Sequence, residues 1–236
     1  MKNKSMLLNS TMIASITGGK WINLTQEILF HGVRVNINRI EKNDLCFTSN
    51  PEQWGKNISN TENKLNIIFN NGAKAAVLTN ENIAKASKYP ILLVKNSKKA
   101  LEDLAFYARD NINVKRILVT GTEGKTGFKN QLYFLLNHQT NSHATLDSSN
   151  LNVPILCSMA SITVDDKVEI IEASVAEPNV GVIRSNLVKP DICVITEVGF
   201  EHIASHGSFE NLIDNKASII DGLKQDGICV LNADSI

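Results

Sequence analysis

The stretch Thr120–Gly127 reads TGTEGKTG and follows the apolar run of VKRILV. A strand, a glycine turn and a Lys-Thr pair opening a helix are the parts of a phosphate cradle. Glycines let the backbone turn its N–H groups inward, and the helix N-terminus adds partial positive charge. In this reading Gly121, Thr122, Glu123, Gly124, Lys125, Thr126 and Gly127 surround a polyphosphate. Lys125 neutralises the outer phosphates, and Thr126 offers its hydroxyl to Mg²⁺. The strict pattern G-x-x-x-x-G-K-[ST] is not met, because Val119 stands at its first glycine. A plain glycine-rich turn with a solvated lysine is the alternative.

Three polar residues downstream have the chemistry to complete such a site. Glu172 ends the strand VEIIEAS, and a carboxylate at the C-terminal end of a parallel strand faces the ligand crevice. His202 lies in TEVGFEHIASHGS, after the next strand, and Lys216 interrupts the helix NLIDNKASII. Taken singly, each has a bland reading: a strand-end acid, a solvated loop histidine, a snorkelling lysine. Their order behind the phosphate loop makes them a set.

The elements that must position them fall into two regions meeting near residue 112. In the first, RVNINRI, DLCFTS and YPILLVKN read as short strands, and NIIFNNGAKAAVLT as a helix end, a glycine turn and a strand. SKKALEDLAFYARD is an amphipathic helix with Ala100, Leu101, Leu104, Ala105 and Ala108 on one face and Ser97 as its cap. QWGKNISNTENKLN reads as an exposed polar loop. The second region alternates strand and helix: KRILVT, a helix from Lys125, KVEIIEAS, PDICVIT, a helix over about 209–224, and GICVLNA. Short continuous apolar runs of this kind fit strands covered on both faces, hence a parallel sheet wrapped by helices. The last helix carries Leu212, Ile213, Ala217, Ile220 and Leu223 as its apolar stripe.

Composition narrows the function classes. The chain has 236 residues, with 24 Lys plus Arg against 24 Asp plus Glu. A zero net charge provides no field for nucleic acid or an anionic membrane, so any anion site is local. The four cysteines form no C-x-x-C pair and read as buried, reduced thiols. No apolar run approaches the ~18 residues of a membrane span, and Asn9, Ser10 and Thr11 interrupt the only stretch resembling a leader. The expectation is a cytoplasmic protein.

Phosphate loop, strand-end Glu, post-strand His and helix Lys, in this order and spacing, resemble the Mur ligase family, which makes amide bonds in peptidoglycan precursors with ATP. VTGTEGKT, NLNVPI, EASVAEPNVGVI, the run from Lys189 to Leu223 and the terminal VLNAD carry the resemblance; GGKW, GAKAAVLT and ALEDLAFYAR extend it to the first region. It implies an α/β protein: a small N-terminal substrate domain over 1–112, then a P-loop-type, mostly parallel sheet flanked by helices over 113–236, an incomplete form of the family's central ATP-binding domain. It also implies roles. The 121–127 loop would hold ATP. Thr126 and Glu172 would bind one Mg²⁺ and His202 a second, supported by Lys216 carbamylated by CO₂. Lys125, His202 and Lys216 would serve catalysis, and Asn150 and Asn152 would meet the acceptor. A small-molecule carboxylate and an amine would be joined through an acyl phosphate.

The chain departs from the family pattern in four places. Gly127 replaces a second hydroxyl, and Glu197 replaces an Asn. Asn36-Ile37-Asn38 replaces the uridine-contacting Asp-Ser/Thr-Arg, leaving the acceptor open. The sequence also stops at VLNADSI, where the family continues into a C-terminal domain. A fragment, a split enzyme with a partner chain supplying that domain, and a shortened non-catalytic nucleotide-binding or regulatory homologue are the three explanations.

Overall fold

A computed structural model describes residues 8–55, 59–146, 151–200 and 203–234. The chain divides into two compact units, Met1–Ile112 with Leu156–Asp165, and Asn113–Ile155 with Asp166–Ile236.

The first unit is built on strands β1 (Lys20–Ile22), β2 (Val33–Arg34), β3 (Leu45–Phe47), β4 (Ala75–Leu78) and β5 (Ile91–Leu93), with helices α1 (Ser10–Thr17), α2 (Pro51–Trp54), α3 (Leu65–Asn70), α4 (Glu81–Ala86) and α5 (Ser97–Asn111). The sheet order is β1-β5-β4-β3-β2, parallel except where β1 pairs with β5. Its core gathers Cys46, Ile68, Ala76, Leu78, Ala84 and Ile91.

Three local expectations are corrected here. Of RVNINRI only Arg34, the end of β2, is strand; the Asn36 side chain then accepts from the Asn38 N–H and starts a 3₁₀ turn over Ile37–Arg39. An Asn side chain that satisfies nearby backbone competes with the ladder. The cap of α5 is Asn96, which accepts from the Lys99 N–H, while Ser97 is buried, accepting from Trp54 Nε1 at 2.7 Å and donating to the Thr48 carbonyl at 2.8 Å. The polar stretch after Gln53 is no simple exposed loop. Trp54 and Glu62 are buried, and Glu62 Oε1 accepts from the Thr79 N–H at 2.7 Å and hydroxyl at 2.6 Å.

The second unit contains β6 (Lys115–Thr120), β7 (Ser142–Ala144), β8 (Val168–Glu172), β9 (Ile192–Ile195) and β10 (Ile228–Leu231). Its helices are α6 (Lys125–Asn137), α8 (Val180–Val188), α9 (Ile203–His206) and α10 (Phe209–Ala217); α7 (Asn152–Ser161) begins in it. All pairings are parallel in the order β10-β9-β6-β8-β7, so β6 is central and the C-terminal ends of β6, β8 and β9 share one edge. Phe128, Leu132 and Leu136, spaced four apart on α6, pack against Ile117, Val119, Ile170 and Val194. These side chains are partly buried, so each contributes a fraction of the about 1.5–3 kcal/mol of full burial, and together they anchor α6 and the turn before it to the sheet.

Two expectations change at the far edge. Strand β10 is not covered: Ile228, Val230 and Leu231 are all exposed. Helix α10 ends at Ala217 and passes into a 3₁₀ turn at Ser218–Ile220. Its buried face is Leu212, Asn215 and Lys216, followed by Ile219, whereas Ile213 and Ile220 are exposed. Asn215 turns inward because its amide donates to the Glu177 carbonyl at 2.6 Å and lies 2.8 Å from His206 Nε2.

Candidate functional site

The site begins where central β6 ends. Gly121 has φ +149° and Gly124 φ +78°, backbone conformations that L side chains rarely adopt. At Gly121 a Cβ would stand 2.1 Å from Thr196 Oγ1 and 3.0 Å from the Glu197 backbone, so glycine is required twice over. The turn rests on the segment after β9. The Thr122 N–H donates to the Glu197 carbonyl at 2.6 Å, Thr122 Oγ1 accepts from the Gly199 N–H at 2.9 Å, and Thr196 Oγ1 lies 2.5 Å from the Glu123 carbonyl. Gly124 is the N-cap of α6 and provides no side-chain cap. The helix therefore opens with its dipole and first-turn donors directed at the turn.

Lys125 folds back over this turn, donating from Nζ to the carbonyls of Gly121 at 2.8 Å and Thr122 at 2.6 Å. One residue on, Thr126 Oγ1 lies 2.9 Å and 3.0 Å from the two carboxylate oxygens of Glu172, at the end of β8. Glu172 is only 1 % exposed. Behind it stands Lys129, also 1 % exposed, with Nζ 3.3 Å from Glu172 Oε2 and donating to the Thr145 carbonyl at 2.9 Å. Thr145 Oγ1 in turn accepts from the Glu172 N–H at 3.1 Å.

The structure thus brings together Lys125, Thr126 and Glu172. Glu123 is exposed, with its carbonyl held by Thr196, and a Cβ added at Gly127 would meet open space. Lys216 is buried on α10 next to Asn215. Asn152 opens α7, exposed, its Oδ1 accepting from Arg184 Nε at 3.1 Å. His202 and Asn150 lie outside the described residues.

A hydroxyl and a carboxylate are hard oxygen donors of the kind Mg²⁺ takes, and that ion keeps its remaining positions for water and phosphate oxygens. The pair at Thr126–Glu172 fits this need. Among the described residues no group of three His, Cys, Asp or Glu side chains gathers as a closed metal cage.

The sequence reading missed Lys129, Thr145 and Arg184. Lys129 carried a signal, since spacing of three from Thr126 and four from Lys125 puts it on their side of α6. Arg184 carried none. It is buried on α8, and its Nη1 has no hydrogen-bond partner among the described residues. Burial pushes the guanidinium below its usual value, and the Glu177 charge opposes that.

The fold and the turn at its central strand place the second unit in the class of parallel α/β units with a strand–glycine turn–helix junction. Comparison with known proteins supplies the family. Residues 119–236 match the Mur ligase middle domain, half of the chain. The UDP-N-acetylmuramoyl-tripeptide–D-alanyl-D-alanine ligase of Bacillus subtilis is 25 % identical over 210 residues, which are 89 % of this chain and 45 % of that enzyme. A crystal structure of MurF from Acinetobacter baumannii superposes with a TM-score of 0.72 at 19 % identity, covering 96 % of this chain and 49 % of that one. MurF ligase from Thermotoga maritima, solved in complex with ADP, gives 0.63 at 22 % identity, over 86 % and 46 %. The chain belongs to the Mur ligase family. The resemblance read from the residues is borne out for family and fold. The chain spans about half the length of the curated relatives it matches.

Proposed function

We propose that this chain carries the nucleotide- and metal-binding part of an ATP-dependent carboxylate–amine ligase of peptidoglycan synthesis. In this reading the first unit is the substrate domain and the second the central ATP-binding domain. One observation carries it: Lys125 lies across the Gly121–Gly124 turn while Thr126 meets Glu172 at the adjacent strand end. The family's name and the ADP bound to the Thermotoga maritima relative support it.

The chain's own residues would act as follows. Lys125 leaves the two carbonyls it now holds and turns to phosphate oxygens. The exchange is favourable because phosphate oxygens carry full negative charge, so the ammonium gains a charge–charge attraction that a carbonyl dipole does not offer. First-turn N–H groups of α6 complete the cradle. Thr126 and Glu172 would hold Mg²⁺, which when bound stabilises charge on the transferring phosphoryl group. The acceptor carboxylate takes the γ-phosphoryl group, giving an acyl phosphate and ADP; an amine then displaces phosphate and leaves an amide. Arg184, with its free Nη1 beside Asn152, is suited to a carboxylate of the acceptor. Lys216 would be carbamylated by CO₂, its ammonium releasing two protons as the N–C bond forms, and the resulting anion would support a second ion with His202. The part of the relatives' length that this chain does not span would supply the amine site, on the same or another polypeptide. A cytoplasmic location fits nucleotide use, and among the described residues no helix is long and apolar enough to cross a membrane.

Titrating the chain with ADP and Mg²⁺ by calorimetry tests the core of this reading. Binding is expected and should be lost in Lys125→Ala; no heat at millimolar ADP would overturn it. A non-catalytic homologue that kept the scaffold is favoured by Asn36-Ile37-Asn38 at the place of the family's uridine contact. ADP and amide formation by this chain alone would refute that second reading.

A further inference from the structure

We propose that Lys129 is a positioning residue for the metal-binding carboxylate and a fixed counter-charge that makes cation binding depend on nucleotide. The inference rests on the nucleotide–metal reading above and adds to it a residue with a distinct role. Lys129, Glu172 and Thr145 close a ring: Nζ to carboxylate at 3.3 Å, Nζ to the Thr145 carbonyl at 2.9 Å, and the Glu172 N–H to Thr145 Oγ1 at 3.1 Å. This ring holds the carboxylate from behind and leaves both oxygens directed at Thr126. Support of this kind orients ligating carboxylates.

The same ammonium sets a condition. Glu172 is already paired with a buried cation, so a divalent ion arriving alone gains little attraction and meets a like charge at close range. Phosphates docked at the Gly121–Thr126 turn add the negative charge that reverses the balance. Metal and nucleotide therefore bind as a coupled pair, and the coupling is reciprocal.

Manganese with ADP is the probe, read by water-proton relaxation, which reports ions held on the slowly tumbling protein. In the full 236-residue chain, ADP should tighten manganese binding by a factor within the usual range of about 5–150. In Lys129→Met, which keeps a flexible stem without charge, manganese alone should bind more tightly and the coupling should shrink to the part that the ion's own contact with phosphate supplies. Lys129→Arg keeps the charge and should keep the coupling. A merely structural lysine would instead weaken manganese binding in Lys129→Met with and without ADP alike. Equal manganese affinity with and without ADP in the unaltered chain, or undiminished coupling in a folded Lys129→Met, overturns the proposal while the site stands. If neither manganese nor ADP binds, the nucleotide–metal reading falls with it. Lys129→Gln is the second uncharged variant should Lys129→Met not fold, and undiminished coupling in it overturns the proposal equally.

Discussion

Gly121→Ala is the substitution whose effect the structure specifies most fully. The native φ of +149° belongs almost exclusively to glycine, and holding another residue there costs about 1–3 kcal/mol. The new Cβ would stand 2.1 Å from Thr196 Oγ1, which lies within hydrogen-bond distance of the Glu123 and Thr120 carbonyls. Thr196 cannot yield without losing such a bond, a further loss of about 0.5–1.5 kcal/mol. The contact with the Glu197 backbone at 3.0 Å blocks escape in the other direction. The sum is about 1.5–4.5 kcal/mol of destabilisation, confined to the Gly121–Gly124 turn and the segment after β9. Gly127→Ala is the internal control: it lies in α6, has nothing within 4 Å, and is not among the positive-φ glycines. It should stabilise by about 0.4–1 kcal/mol through the unfolded state. Urea unfolding followed by circular dichroism reads both. Gly121→Ala within about 0.5 kcal/mol of the unaltered chain would refute the reasoning, since that is the scatter of ordinary surface changes.

Other consequences follow from buried charge and exposed thiols. Arg116 and Glu169 form a fully buried pair at 3.0 Å, so Arg116→Met should cost about 3–5 kcal/mol in urea unfolding. Arg116→Met with Glu169→Leu should recover most of that loss; an unchanged single variant would show that the pair is not what holds that face. Cys46, Cys157 and Cys193 are buried, and burial pushes each thiol up to about 12, whereas Cys229 on β10 is exposed. Native protein should thus release one equivalent from a chromogenic disulfide, and Cys229→Ser none. Asp191 feels burial, which raises its value, but the Arg116 N–H, Lys224 and Lys115 outweigh it and hold the carboxyl below its usual range. A depressed folded value means that the stabilisation is present above the unfolded value of about 3.9 and disappears as pH falls through the lower folded one. The gap in urea midpoint between the unaltered chain and Asp191→Asn should accordingly close only at strongly acid pH; a gap constant from neutral to acid would contradict this.

What the sequence revealed of the site was its local part. Two glycines, a lysine and a threonine in one turn are a backbone signal, and positive φ at Gly121 and Gly124 is its physical content. Glu172 was readable because a strand's end defines where its last side chain stands. Lys129 was readable in principle from helical spacing, but a lysine on α6 gives no hint of burial until Thr145, just after β7, and Glu172, at the end of β8, meet it. The inward face of α10 was misread for a similar reason. Hydrophobicity favoured Ile213 and Ile220, whereas Asn215 had partners in the segment after β8 and in α9 that periodicity cannot see. Strand β10 shows the converse: its apolar run promised two covered faces, and its side chains are exposed.

The central claim is that nucleotide phosphates dock on the turn between β6 and α6. Amide chemical shifts of the labelled chain, followed during titration with ADP and Mg²⁺, test it most directly. The largest changes should fall on Gly121, Thr122, Gly124, Lys125 and Thr126, with Glu172 following once magnesium is present. Shifts gathered elsewhere, or none at millimolar ADP, would contradict the account.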